Sequence, residues 1–240
     1  MSVAIKDITS FADKRIAWSE NGEPGDGGRW ELLDDGAVLF VQPTPGLDYW
    51  CRTFYTPLLV KTDGQAMLTP VAAEAEASLS VAFSLKPAAQ FDQAGLMVLV
   101  DENTWAKAGI EYVDGVPRLA CVVTNDGFSD WSTQPWPQFD GTTVNCQIRL
   151  SKLQPGPEQR GALVLEAGQS AGASDSTEVK WMQVRIASLR SDPGVAWRMG
   201  VYAQSPVKQS GCEVRFHSLR LGPKVAPVHE AALPEGHGGL

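Results

Sequence analysis

Side chains able to bind a hydroxylated ligand are concentrated in one stretch of the chain, residues 91–136. The stretch contributes an indole, two cations, a carboxylate and a hydroxyl, which are Trp105, Lys107, Arg118, Glu111 and Thr124. A carboxylate and two cations can exchange hydrogen bonds with the hydroxyl groups of a polyol, and an indole can stack on the apolar face of a sugar ring. These residue types predict a binding site for a sugar or a small polyol.

Glu111 also raises the question of catalysis. Glycosidases normally place two carboxylates around the scissile bond. No second carboxylate shares the predicted face with Glu111, and the charges of Lys107 and Arg118 are expected to lower its pKa. We therefore expect Glu111 to accept hydrogen bonds rather than donate a proton. An enzyme remains an alternative, because Asp48 or Asp92 would supply a second carboxylate from another strand.

Two short turns fix which of these side chains lie together. Asp114-Gly115 is typical of a two-residue type I′ hairpin. A loop of that length pairs Glu111 with Arg118, Lys107 with Val122, and Trp105 with Thr124. The preceding turn, Glu102-Asn103, is expected to pair Val100 with Trp105, Val98 with Lys107, Met97 with Ala108, and Leu96 with Gly109.

This pairing predicts two faces, since successive side chains of a strand point to opposite sides. The face of small and apolar residues is the predicted interior: Gly95, Met97, Leu99, Ala106, Ala108, Ile110, Leu119, Cys121 and Val123. The mixed face holds Leu96, Val98, Val100, Trp105, Lys107, Glu111, Arg118, Val122 and Thr124. Both a partly enclosed groove and an ordinary decorated sheet surface fit the mixed face.

The rest of the chain reads as further short strands. Residues 71–86 alternate apolar and polar types, which favours a half-buried strand over the helix that their Ala and Glu content suggests. Similar patterns predict strands at 38–42, 144–150, 163–167, 179–186, 197–204 and 212–221. Frequent turn signals separate them, so we predict an all-β fold, an antiparallel sandwich or barrel.

One domain is predicted over residues 1–222, followed by a flexible tail at 223–240. We expect at most one docked segment in this tail, and we expect His229 and His237 to be solvated. Residues 168–177 are small and polar, and we expect an exposed hairpin loop there. The loop at 125–132 has oxygen-bearing side chains, but turn chemistry explains them without calcium.

Composition narrows the classes of partner. The chain has 20 Lys and Arg against 28 Asp and Glu, a formal net charge of −8, which disfavours nucleic acid and anionic membranes. The N-terminal residues lack the pattern of a signal peptide, and no apolar run is long enough to cross a bilayer. Four widely separated cysteines, Cys51, Cys121, Cys146 and Cys212, fit buried thiols. We predict a cytoplasmic protein with no metal and no cofactor.

The central motif resembles the regulation-of-enolase family, a domain family of unknown function. The residues that match its pattern are Asp92, Gln93, Ala94, Gly95, Leu96, Trp105, Lys107, Gly109, Glu111, Tyr112, Gly115, Val123, Asn125, Ser129, Asp130 and Trp131, with Gly46, Asp48, Trp50 and Thr53 before them and Gly200, Ser205, Pro206 and Phe216 after them. The resemblance implies a concanavalin-A-like jelly roll, whose lectins and glucanases carry sugar on a concave sheet face. The Glu-x-Asp-x-x-Glu strand of those glucanases is absent from this sequence.

Three functions fit these observations. The first is a noncatalytic, lectin-like module that binds a sugar or polyol through Trp105, Lys107, Glu111, Arg118 and Thr124, with help from Asp48 and Trp50. The second is a regulatory domain that binds another protein. The third is a glycoside-acting enzyme that uses Glu111. The oligomeric state stays open.

Overall fold

The computed structural model describes residues 5–20, 22–154, 161–170, 179–190, 194–207 and 211–229. Its strands are β1 (Ala17–Trp18), β2 (Arg29–Leu33), β3 (Val38–Gln42), β4 (Tyr49–Cys51), β5 (Val60–Thr62), β6 (Gln65–Val71), β7 (Ala77–Lys86), β8 (Gln93–Asp101), β9 (Thr104–Val113), β10 (Val116–Asn125), β11 (Phe128–Pro135), β12 (Val144–Leu153), β13 (Gly161–Ser170), β14 (Val179–Leu189), β15 (Trp197–Gln204) and β16 (Glu213–Pro223). Within these ranges a 3-10 turn at Asp34–Gly36 is the one helical element, and no helix is long and apolar enough to cross a membrane.

Two seven-stranded antiparallel sheets form the fold. The first has the order β1-β6-β15-β8-β9-β10-β11, and the second has the order β14-β13-β12-β7-β16-β3-β2. Ile110 and Leu119 of the first sheet share one apolar core with Phe83, Ile148 and Phe216 of the second. The predicted all-β, two-sheet antiparallel sandwich is confirmed. Strands β4 and β5 form a separate two-stranded ribbon.

The predicted hairpin between β9 and β10 is confirmed. Asp114 and Gly115 have φ angles of 53° and 82°, the positive values that a type I′ turn requires. The register pairs Glu111 with Arg118, Lys107 with Val122, and Trp105 with Thr124, as predicted. The mixed face of these two strands is therefore as the sequence indicated.

The predicted register of β8 is wrong by one residue. Asp101 pairs with Thr104 as expected, but the pairing shifts between Leu99 and Asp101 at a bulge. The residue opposite Lys107 is therefore Met97, and the residue opposite Trp105 is Leu99. A one-residue shift moves each side chain to the other face. Leu96 and Val98 accordingly lie in the interior, with Val100 packed against it, whereas Met97 and Leu99 lie on the outer face.

The strand predicted over residues 71–86 is two elements. Strand β6 ends at Val71 and β7 begins at Ala77. Between them the buried ammonium group of Lys152 donates to the carbonyl oxygens of Ala73 and Ala75, at 2.7 and 2.6 Å. These bonds hold the chain in a turn that the alternating pattern does not reveal.

The remaining strand predictions are confirmed within a few residues, at β3, β12, β13, β14, β15 and β16. The four cysteines are buried free thiols, as expected. Most of the predicted hairpin loop at 168–177 and tail residues 230–240 lie outside the described residues.

The chain after β16 lies against the second sheet. The backbone N–H of Val225 donates to the hydroxyl of Ser78 at 2.9 Å, and that of Val228 donates to Glu166 at 2.7 Å. Glu166 is fully buried and also accepts from Arg149 at 2.7 Å. The first residues of the predicted tail are thus docked.

Candidate functional site

The β4–β5 ribbon covers part of the outer face of the first sheet. Tyr49, Trp50 and Cys51 of β4 pack with sheet residues in a second apolar cluster, whose sheet members are Ala66, Leu68, Met97, Leu99, Trp105, Val122 and Tyr202. Two hydrogen bonds attach the ribbon and its flank to the sheet side: the N–H of Gly46 donates to Ser205 O at 2.7 Å, and the N–H of Cys51 donates to the Ser129 hydroxyl oxygen at 2.9 Å. The predicted mixed face is therefore partly enclosed.

Lys107 is buried beneath this ribbon, with 3% of its surface exposed. Its Nζ donates to Asp48 Oδ1 at 2.7 Å and to Gln204 Oε1 at 3.0 Å. The same Nζ lies 5.8 Å from the ring centre of Trp105 and 5.9 Å from that of Tyr202. A buried ammonium group requires such partners, because transfer of an unpaired charge out of water is costly.

Asp48 lies just before β4, and its carboxylate reaches Lys107 from outside strands β8 to β10. Its Oδ1 also accepts from Gln93 Nε2 at 3.2 Å and from the N–H of Tyr49 at 2.8 Å. The side chain keeps 16% of its surface exposed. The ion pair Asp48–Lys107 thus joins the ribbon to the centre of the sheet.

Glu111 lies in the same enclosure, with 7% of its surface exposed, and Trp131 Nε1 donates to its Oε2 at 2.9 Å. Burial raises the pKa of Glu111 from 4.5 to about 7. The charge of Lys107 and the bond from Trp131 act to lower this pKa, and the charge of Asp48 acts to raise it. The prediction that the pKa of Glu111 lies below its usual value is wrong, because burial outweighs the charge of Lys107.

A pocket of about 140 Å³ opens beside these three side chains. Its polar lining is Asp48, Lys107 and Glu111, and the remainder of its lining is mainly apolar and aromatic: Trp50, Tyr55, Leu59, Phe91, Val122, Trp131 and Pro206. The walls are fixed in part by ring contacts, since Trp50 and Tyr55 meet edge to face with centres 5.5 Å apart. The pocket can hold a small molecule with both polar and apolar surfaces.

The structure brings together four of the seven predicted site residues. Asp48, Trp50, Lys107 and Glu111 line the pocket. The other three, Trp105, Arg118 and Thr124, do not line it.

Each of those three side chains lies outside the pocket. Trp105 is fully buried behind Lys107, edge-on to Tyr49, so its indole offers no stacking surface. Thr124 is fully buried and shares a 2.8 Å hydrogen bond with Ser129. Arg118 lies opposite Glu111 in register and is half-buried, but no ion pair joins the two among the described residues.

Trp131 lines the pocket and donates to Glu111, although it was not among the predicted site residues. Its signal was present, because the turn at Asp126-Gly127 places it opposite Val122, on the same row as Lys107. Tyr55, Leu59, Phe91 and Pro206 carry no comparable signal. They reach the pocket from loops whose positions depend on the folded chain.

Comparison with known proteins identifies the family. The model of the family described as "Protein of unknown function (DUF1349)" matches residues 28–224. The chain belongs to this family. A member from Saccharomyces cerevisiae, "Regulation of enolase protein 1", is 40% identical over 200 residues, which cover 83% of this chain and 87% of the yeast protein. The predicted resemblance is confirmed.

Solved structures support the jelly-roll fold of this DUF1349 member. A functionally unknown protein from Saccharomyces cerevisiae aligns with a TM-score of 0.69 and 24% identity, covering 88% of this chain and 97% of that one. A GH43 protein from Bacillus licheniformis aligns with a TM-score of 0.59 and 12% identity, covering 88% of this chain but 40% of that longer one. Likeness at these identities establishes the fold alone.

Proposed function

We propose that this protein is a noncatalytic, lectin-like module that binds a sugar or small polyol in the pocket between the β4–β5 ribbon and strands β9 to β11. One observation carries the proposal: Asp48, Lys107 and Glu111 meet on one side of a pocket that is otherwise mainly apolar and aromatic. Buried ionisable groups that converge in a pocket are typical of functional sites, because burial of a charge costs stability.

The atoms that remain open suit hydroxyl groups. Glu111 Oε1 and Asp48 Oδ2 have no hydrogen-bond partner among the described residues. Both oxygens can accept from a ligand hydroxyl, and the rings of Trp50, Tyr55 and Trp131 can contact the ligand's C–H surface. Sugars and polyols present both kinds of surface.

The size of the pocket limits the ligand. Its volume of about 140 Å³ is well below the roughly 300–1,000 Å³ of sites for drug-sized ligands. One sugar ring, or a linear polyol of a few carbons, is therefore the expected occupant.

The yeast relative suggests a biological setting for such binding, because it is named for regulation of enolase. We propose that ligand binding connects this chain to the regulation of sugar metabolism. The concave shape of the ligand-bearing face and a cytoplasmic location are parts of the same proposal.

Calorimetric titration tests the proposal. Wild type is titrated at pH 8 with glucose, xylose, glycerol and sorbitol, beside Glu111→Gln and the matched control Glu31→Gln, which changes an exposed side chain on β2. We expect saturable binding that weakens about tenfold in Glu111→Gln, the effect of one charge-assisted hydrogen bond, and no change in the control. Binding by none of these ligands contradicts the proposal and favours the protein-interaction alternative.

A glycoside-acting enzyme is the second candidate, and the pKa of Glu111 favours it. A carboxyl group with a pKa of about 7 remains partly protonated near neutral pH, as a general acid must, and Asp48 supplies a carboxylate in the same pocket. Aryl glycosides with a chromogenic leaving group separate the candidates. Turnover by wild type that disappears in Glu111→Gln supports the enzyme, whereas binding without turnover supports the module.

A further inference from the structure

The charges that line the pocket do not cancel. Lys107 is the one cation among the described residues that line it, and Asp48 balances Lys107 at 2.7 Å. Glu111 accepts its one hydrogen bond from a neutral indole, that of Trp131. When Glu111 is ionised, the three side chains carry a net charge of −1.

The indole N–H groups of the walls are already bonded within the protein, whereas two carboxylate oxygens of the pocket are open. The indole N–H of Trp50 already donates to Thr53 O at 2.9 Å, and that of Trp131 donates to Glu111. Glu111 Oε1 and Asp48 Oδ2 are carboxylate oxygens without a partner among the described residues. A ligand ammonium group adds coulombic attraction to the hydrogen bonds that it donates to such oxygens, whereas a hydroxyl group supplies the hydrogen bond alone.

The walls also favour a cation. Trp50, Tyr55 and Trp131 surround the same small volume, and Phe91 adds a fourth ring. An ammonium group close to the face of such rings gains roughly 2-fold to 30-fold in affinity through attraction to their π electrons. An anionic ligand would meet both the rings and the uncompensated carboxylate.

We infer that the ligand of this pocket is a hydroxylated molecule that carries a primary ammonium group, such as an amino sugar or an amino alcohol. The inference rests on the proposed function and narrows its ligand class. The ammonium group lies between Glu111 and Asp48, and the hydroxyl-bearing carbons lie against Trp50 and Trp131. The positive charge of the ammonium group brings the net charge of the occupied pocket to zero.

Titration of Glu111 gives the binding a pH dependence. The ionisable groups near Glu111 are Lys107 on β9, Asp48 before β4, Tyr55 in the loop between β4 and β5, Tyr202 on β15, and Arg118 opposite on β10. Because the pKa of Glu111 is about 7, an arriving ammonium group favours the ionised form and releases a proton. Affinity for the ammonium ligand therefore falls as the pH drops below 7.

Matched pairs of small molecules test the inference. Glycerol is compared with 2-amino-1,3-propanediol, in which an ammonium replaces one hydroxyl, and glucose is compared with glucosamine, in which an ammonium replaces the 2-hydroxyl. Calorimetry at pH 7 in two buffers of different ionisation enthalpy measures affinity and proton release together. We expect the ammonium member of each pair to bind about tenfold tighter, because one added ion pair of about 1.4 kcal/mol corresponds to a factor of ten. Its binding should also release protons. The preference should largely disappear at pH 5.

Variants locate the effect. Glu111→Gln should bring the affinity ratio of each pair close to one. Asp48→Asn should also lower this ratio, and Glu31→Gln should leave it unchanged. Thermal unfolding confirms that each variant is folded. Equal affinity for both members of each pair in wild type overturns the inference and leaves the proposed function standing. Failure of all four molecules to bind contradicts the proposed function itself.

Discussion

Glu111 is the residue on which the chemistry of the pocket depends, because its protonation state sets the charge that a ligand meets. Burial raises its pKa to about 7, and the hydrogen bond from Trp131 opposes that rise. Trp131→Phe removes the donor and should raise the pKa of Glu111 further. Carbon-13 NMR titration of the Glu111 carboxyl group measures the change. Trp136→Phe is the matched control, because its indole donates to Asn145 O instead, and an unchanged pKa in Trp131→Phe would contradict the assignment.

The same raised pKa affects stability. The folded protein holds the Glu111 proton more tightly than the unfolded chain does, so stability is lost as the pH rises from about 4.5 through about 7. Relative to Glu111→Gln, wild type should lose roughly 3 kcal/mol of unfolding free energy between pH 4.5 and pH 8, from a shift of about 2.5 pKa units at about 1.4 kcal/mol each. Urea unfolding at a series of pH values measures this difference, and parallel curves for the two proteins would refute it.

At the scale of elements, the meander of β8, β9 and β10 holds the site, and local signals predicted it unevenly. The hairpin of β9 and β10 followed from Asp114-Gly115, because a two-residue turn fixes its own register. No turn residue in the sequence predicts the bulge in β8. Asp48 and Trp50 were predicted as site residues, but strand pairing could not place them over the sheet, since Asp48 lies 59 positions before Lys107. The sequence therefore predicted the charged groups and one ring of the pocket, and it missed the walls that Tyr55, Leu59, Phe91 and Pro206 form.

Close approach of β8 and β9 also depends on glycine. Gly95 and Gly109 face each other, and a Cβ on Gly109 would lie 2.0 Å from Ala94 O. Gly109→Ala should destabilise the protein by about 1–3 kcal/mol, because the backbone must move to admit the methyl group. Thermal and urea unfolding measure this loss against Gly25→Ala, where nothing lies within 4 Å of the added carbon. Equal stability of the two variants would show that the strands are not held so closely.

At the scale of the whole molecule, the second sheet stabilises the sandwich and is covered in part by the chain after β16. Val225 and Val228 donate backbone hydrogen bonds to Ser78 and to buried Glu166. Truncation after Pro223 leaves Glu166 with one fewer donor, and we expect a loss of about 1–3 kcal/mol in urea unfolding. A chain ending at His229 keeps both contacts and is the control. Ligand affinity should not change, since the pocket lies on the other sheet, and a coupled loss of affinity would contradict this separation.

The enclosure around Glu111 is proposed to bind a hydroxylated ligand. The most direct measurement is a proton–nitrogen NMR titration of the indole N–H signals with 2-amino-1,3-propanediol and with glycerol. Trp50 and Trp131 line the pocket, whereas Trp136 bonds to Asn145 elsewhere. We predict saturable shifts of the Trp50 and Trp131 signals, at lower concentration for the amino alcohol, with the Trp136 signal unmoved. Unchanged Trp50 and Trp131 signals at saturating ligand would contradict the claim.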